Sequence, residues 1–177
     1  MKTNCNIFVK FMEDVLKAKI SKTIVLTTLI LSMLGASLFV GPNANKTIQA
    51  KSYKASTLRL MSAIIYSEAG NQSYAGKKAV GIVIMNRVKS RQFPNSVKGV
   101  VYQSGQFSPV RNGSLARSFR LYDKGKMSKS VKKAAASALS GSKQVTYHGK
   151  KINMKKFKFF SGYVAGAKLS IDGHQFK

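Results

Sequence analysis

Ser56-Thr57-Leu58-Arg59-Leu60-Met61-Ser62-Ala63-Ile64-Ile65-Tyr66-Ser67-Glu68-Ala69-Gly70 is the stretch from which the rest of the chain can be read. Ser56 suits a helix N-cap, and Gly70 followed by Asn71 stops a helix, so one helix is predicted over 56–69. Leu58, Met61, Ile65 and Glu68 recur at helical spacing, as do Leu60, Ile64 and Glu68. Both rows end at Glu68, which places its carboxylate on the buried stripe near the helix C-terminus. A carboxylate there is seldom tolerated without a partner or a task. Desolvation favours its protonated form, and a Glu so tuned can act as a general acid. A buried ion pair with Lys or Arg explains the same placement, and these residues alone leave both readings open.

Working outward, a second helix is expected from Tyr74 to Lys89, with Ala79, Ile82 and Val83 on its apolar face and Asn86 as a polar intruder. Pro94 interrupts, and Asn95 or Ser96 can cap a short helix through Tyr102. Gly105 to Gly113, with Pro109 inside, reads as a loop or short strand. Ser128 or Ser130 caps a further helix through Leu139, ended by Gly141. Beyond it Val145–Tyr147, Phe157–Phe159 and Lys168–Ile171 alternate as strands, with turns at His148-Gly149 and Asp172-Gly173. The expected class is α+β, helices first and a small β-sheet near the C-terminus.

Composition sets the bounds. The chain has 177 residues, 31 of them Lys or Arg against 5 Asp or Glu, for a formal charge of +26. That favours polyanionic partners without saying anything of the fold. At 44% hydrophobic, a packed core is affordable and wholesale disorder is not expected. One Cys rules out a disulfide framework and a cysteine zinc site. Residues 23–40 form an uncharged apolar run, preceded by Lys2, Lys10, Lys17, Lys19 and Lys22 and followed by Ile48-Gln49-Ala50. This pattern reads as a signal peptide over 1–50, or an uncleaved anchor, and places the remainder outside the cell. A short lead-in (51–57) and one domain (58–177) follow. Cleavage after Ala50 leaves a charge of +22 on 127 residues.

Three acids then remain: Glu68, Asp123 and Asp172. Asp172 before Gly173 has turn chemistry as its reason, and Asp123, within Tyr-Asp-Lys-Gly-Lys, reads as a solvated acid in a flexible basic loop. No metal site is expected, because His148 and His174 have no ligand-spaced partners. Gly70 to Lys78 only superficially matches a phosphate loop, having one residue too many between its glycines. No cofactor is implied.

Ile65-Tyr66-Ser67-Glu68-Ala69-Gly70, Ala79-Val80-Gly81-Ile82-Val83-Ile84-Met85-Asn86-Arg87-Val88, Phe93-Pro94 and Gln106-Phe107-Ser108-Pro109-Val110, in that order, closely resemble the SleB-type cell wall hydrolases, a family that includes the spore cortex-lytic enzymes. The resemblance runs over roughly residues 58–177 and weakens after Gly141. It implies a lysozyme-like catalytic domain that cleaves peptidoglycan glycan strands, with Glu68 as the catalytic acid. It also implies lytic transglycosylation, which needs one acid because the substrate's own 6-hydroxyl supplies the nucleophile. Paired-carboxylate hydrolysis would demand a second acid for which no residue is obviously placed.

Around Glu68, Asn86, Gln106 and Ser108 are expected to hydrogen-bond sugar groups, and Tyr66, Tyr102 and Phe107 to pack on pyranose faces. A buried amide tying up backbone groups explains Asn86 equally well, and core packing explains Phe107. His174 stays open between structural and functional roles. The chain has no Trp, a frequent sugar platform, and shows no separate wall-binding repeat. Lys150-Lys151 and Lys155-Lys156, interleaved with Phe157 and Phe159, offer either a patch for anionic wall polymers such as teichoic acids or a plain solvated face. The competing classes are a non-catalytic cationic wall-binding protein and an extracellular nucleic-acid binder; export argues against the latter. A monomer is the expectation, in the wall or spore cortex.

Overall fold

The computed structural model describes residues 53–177; the signal segment read over 1–50 lies outside the described residues. Among the described residues, six helices lead and five short strands follow. The helices are α1 (Ala55–Ala69), α2 (Tyr74–Val88), α3 (Val97–Val101), α4 (Ser108–Arg111), α5 (Ser114–Asp123) and α6 (Lys129–Leu139). The strands are β1 (Gln144–Tyr147), β2 (Lys150–Asn153), β3 (Phe160–Ser161), β4 (Leu169–Ile171) and β5 (His174–Phe176). β1 and β2 form an antiparallel hairpin, and β5 lies between β3 and β4 in an antiparallel three-stranded sheet. This is the predicted α+β order. Among the described residues no helix is long and apolar enough to cross a membrane.

α2 is the centre of the described domain. It is apolar nearly all round, which marks a helix covered on every side. Val80 and Ile84 enter a core with Met61, Ile64, Ile65, Val100, Val131 and Ala135 from the other helices. Ala79, Ile82 and Val83 enter a second core with Ala138, Val145, Met154, Ile171 and Phe176, under the sheets. Gly81 sits at the closest approach, where a Cβ would come within 2.9 Å of both Ala138 Cβ and Ile65 Cδ1. The first turn of α2 is tied down twice. Ser73 Oγ accepts from the Gly76 N–H, and Asp172 Oδ2 accepts from the Ser73 N–H (2.9 Å) and hydroxyl (2.7 Å). The β4–β5 turn is thereby bonded to the start of the central helix.

Four expectations need correction. α1 begins at Ala55 with Lys54 as an N-cap that makes no side-chain bond, so Ser56 lies inside the helix. Gly105–Gly113 holds the short helix α4, because Pro109 in its first turn is preset for helical φ. Phe157–Phe159 is not a strand. The Phe157 carbonyl accepts from the Asn86 amide and the Lys158 carbonyl from Arg87 Nε, so neither is free for a ladder; Phe159 bonds to Lys177 just ahead of the strand, which begins at Phe160. Asp123 is not in a loop: it ends α5, and its carboxylate accepts Arg59 Nε and Nη2, each at 2.6 Å.

Candidate active site

Glu68 stands in the last turn of α1, where the exposed carbonyls make the negative end of the helix and no basic residue offsets it. It is half-buried beside the fully buried Ile64 and Ile65. Desolvation pushes its carboxyl pKa up, and the positive charge of Arg87 only partly opposes this. Among the described residues its carboxylate takes no hydrogen bond and no ion pair closer than 4.0 Å. The other two acids are engaged elsewhere, Asp123 with Arg59 and Asp172 with Ser73.

The carboxylate opens on a cavity of about 240 Å³ that it shares with Arg87, Gln106, Ser108, Arg111, Phe160 and His174. α2 brings Arg87, the α3–α4 connection and α4 bring Gln106, Ser108 and Arg111, and the three-stranded sheet brings Phe160 and His174. Arg87 is only 4% exposed. Its guanidinium carbon lies 5.2 Å from the ring centre of Phe93, 5.4 Å from Phe107 and 5.6 Å from Phe159. Nε donates to the Lys158 carbonyl at 2.7 Å, while Nη1 is buried with no partner. Burial lowers the Arg87 pKa and Glu68 raises it, so a charge fixed by three rings faces an acid inclined to keep its proton.

His174 is half-buried, its ring edge-on to Phe160 at 5.0 Å. The Gln72 amide nitrogen lies 3.0 Å from Nδ1, which makes Nδ1 the acceptor and leaves the ring proton on Nε2. Desolvation lowers the His174 pKa, with Asp172 opposing, so the ring is neutral near pH 7. A neutral donor and two guanidinium groups thus surround one carboxyl.

Of the residues picked out from sequence, Glu68, Gln106 and Ser108 line this cavity. Tyr66, Asn86, Tyr102 and Phe107 do not. Asn86 is buried with Nδ2 donating to the Met154 carbonyl (2.7 Å) and the Phe157 carbonyl (2.8 Å). Phe107 is 3% exposed, forms part of the helical core and is one wall of the Arg87 cage. Tyr66 is half-buried against that core. Tyr102 is 47% exposed and lies outside the cavity. Sequence reasoning gave Arg87 and Arg111 no role. Arg87 lies beside Asn86 in one of the quoted motifs, one step round the helix from a position the apolar pattern marks as buried, and that was its only signal.

Comparison with known proteins bears on the family and the fold. A family model described as Cell Wall Hydrolase matches residues 71–176, a segment beginning just after Glu68. A spore cortex-lytic enzyme of Bacillus cereus is 37% identical over 75 residues, 42% of this chain and 29% of that protein. The chain thus spans under a third of the length of that curated relative. The catalytic domain of the germination-specific lytic transglycosylase SleB from Bacillus anthracis superposes with a TM-score of 0.52 at 24% identity, over 71% of this chain and 97% of that one. The crystal structure of the Bacillus cereus SleB catalytic domain gives a TM-score of 0.53 at 24% identity, over 75% and 98% respectively. The fold is therefore that of these lysozyme-like domains.

Proposed function

The chain belongs to the cell wall hydrolase family, and on that premise we propose that it is an exported enzyme that cleaves peptidoglycan glycan strands by lytic transglycosylation, with Glu68 as both acid and base. The single observation that supports this most is the state of Glu68: half-buried, unpartnered, with its pKa raised, and open to a polar cavity. A carboxyl so placed keeps its proton to higher pH than a free Glu and has no neighbour that must first release it.

In this reading Glu68 gives its proton to the oxygen linking N-acetylmuramic acid to N-acetylglucosamine, and that bond breaks at the muramic C1. The muramic 6-hydroxyl oxygen attacks C1, its proton passes to the Glu68 carboxylate, and a 1,6-anhydro ring closes. No water is consumed, and the acid is restored. The acid inventory favours this over hydrolysis, since neither Asp123 nor Asp172 lines the cavity and both are already bonded. Gln106, Ser108 and the His174 Nε2–H are the donors and acceptors that hold the sugar substituents. A monomer suffices, with residues 1–50 directing export and the cationic surface holding anionic wall material.

Mass spectrometry of digested peptidoglycan tests the chemistry. Anhydro-muramic ends are expected; ends heavier by one water indicate hydrolysis and overturn the route. Glu68→Gln is expected to stop clearing of peptidoglycan in a gel while leaving wall binding intact, and a Gln variant that clears normally removes Glu68 from the mechanism.

A further inference from the structure

A second cavity, of about 460 Å³, shares no lining residue with the first. Asn153, Lys155, Lys156, Phe157, Lys168 and Lys177 form its wall. The structure thus gathers Lys155-Lys156 with two lysines distant in sequence, and leaves Lys150, Lys151 and Phe159 out of the cluster.

The lysines stand on braced backbone. The Lys155 N–H donates to Asn153 Oδ1 at 2.9 Å, the Lys168 N–H to the Phe176 carbonyl at 2.9 Å, and the Lys177 N–H to the Phe159 carbonyl at 3.1 Å. Phe157, edge-on to Phe176 at 6.4 Å, makes the apolar floor. Lys177 Nζ donates to the Ala165 carbonyl, whereas the ammonium groups of Lys155, Lys156 and Lys168 have no partner among the described residues. No Asp or Glu side chain lines the cavity. Four like charges around one hollow repel one another unless anions neutralise them, so this arrangement works against the free fold and favours a bound anion.

We infer that this lysine-rimmed cavity binds a phosphodiester-linked polymer, a poly(polyol phosphate) strand of the kind that accompanies peptidoglycan. Ammonium groups bind phosphate as point charges without demanding a fixed geometry. An apolar floor and lysine stems suit the carbon backbone between the charges. The alternatives fit less well. Stacking of successive bases needs several exposed aromatics, and Phe157 is the only ring in the wall. A peptide needs partners for its amides, yet Asn153 is the only uncharged hydrogen-bonding side chain, and its Oδ1 is taken. The inference rests on the proposed wall reading only for the choice of polymer. Binding is scored without turnover, so failure of the cleavage reading and failure of this one are separate results.

The experiment titrates the protein with poly(glycerol phosphate) at increasing sodium chloride. Three variants are compared with wild type: the quadruple Lys155→Gln, Lys156→Gln, Lys168→Gln, Lys177→Gln; the double Lys155→Gln, Lys156→Gln; and a control quadruple Lys124→Gln, Lys126→Gln, Lys129→Gln, Lys132→Gln around the α5–α6 connection. Counterion release predicts that the cavity quadruple lowers the slope of log affinity against log salt by about three and the double by about half of that, with the control near wild type. Cleavage of short soluble glycan fragments stays at wild-type rates in all three. Equal loss in the cavity and control quadruples means a diffuse field and overturns the site. So does absence of binding by wild type, equal affinity for polyglutamate, or tighter binding of single-stranded DNA.

Discussion

The two cavities hold charge in opposite ways. In one, a half-buried carboxyl and a buried guanidinium face each other under three aromatic rings; in the other, exposed ammonium groups ring an apolar floor. The segment 154–158 serves both, since Phe157 lines the lysine cavity while the Lys158 carbonyl holds Arg87 at the Glu68 cavity. Buried charge is little screened and has its pKa set by neighbours, which suits proton transfer. Exposed charge is screened over ~8 Å at physiological salt, which suits reversible holding. Sensitivity to pH should therefore belong to the first cavity and sensitivity to salt to the second.

The largest effect expected is at Glu68. Glu68→Gln removes the only acid of the cavity and should lower kcat by about 10²–10⁴-fold, the usual worth of a general acid. The same change should raise Tm at neutral pH. A carboxyl whose pKa is higher folded than unfolded holds more protons in the folded state between the two values, so stability falls as pH rises through that window. Gln has no such cost. A Tm that drops instead would mean Glu68 is a structural ion-pair partner, and the contrast between the cavities would lose its basis.

Arg87→Met comes next and sharpens the same contrast. Arg87 is the charge that opposes desolvation at Glu68, so without it the Glu68 pKa rises further. The acid then stays protonated to higher pH, and the alkaline limb of the kcat profile should move up. Arg111 and His174 also face the cavity; Arg111 is the same in both proteins, and His174, neutral near pH 7, does not mask the shift. Arg87→Lys keeps the charge but loses the planar stack and the Nε bond. Its limb should stay near the wild-type position while kcat falls. A limb unmoved in the Met variant would show that the two groups do not communicate.

How much of this was legible in the sequence depended on whether the deciding contact was local. The apolar rows of 58–68 placed Glu68 on a buried stripe, and Ser96 and Ser128 do cap α3 and α6, because helix period and capping are short-range. α5 escaped notice: Gly113 precedes it in the left-handed region with no side-chain cap, and one of its two fully buried residues is a serine, Ser118. Ser118 is satisfied by Ser67 Oγ at 2.7 Å, a partner on α1 that no local pattern reveals. Asn86 and Arg87 were equally hidden. Their partners are carbonyls about 70 positions away, and the same bonds that occupy them erase the strand expected at Phe157–Phe159.

Asn86→Ala exploits that long-range bond and should affect both cavities at once. It strips two carbonyls of their donor, Met154 in a fully buried residue and Phe157 in a half-buried one. Leaving such groups unpaired costs about 2 kcal/mol, readable as a lower midpoint in urea unfolding. Because the freed segment includes Phe157 and adjoins the Lys158 carbonyl, affinity for poly(glycerol phosphate) and glycan cleavage should weaken together. Loss of one without the other would show that the segment does not couple them.

The smallest effect expected lies outside both cavities, at Asp172, and isolates what an exposed charge contributes to folding. Burial alone would raise its pKa, but the Ser73 hydroxyl and N–H, the Tyr147 hydroxyl and the charge of His148 outweigh that, and the net shift is downward. A carboxyl whose pKa is lower folded than unfolded adds stability above the unfolded value, and this is lost as pH falls through the folded one. Asp172→Asn keeps the side-chain shape and tolerates the left-handed backbone at this position, where φ is 49°, so backbone strain cancels from the comparison. What remains is the carboxylate's charge at the first turn of α2. Because the side chain is exposed and water competes for it, the cost at neutral pH should be no more than about 1 kcal/mol. Below the folded pKa the wild type is itself neutral there, so the two Tm curves should converge in acid. Curves that stay parallel to the lowest pH would assign the difference to hydrogen-bond geometry instead of charge.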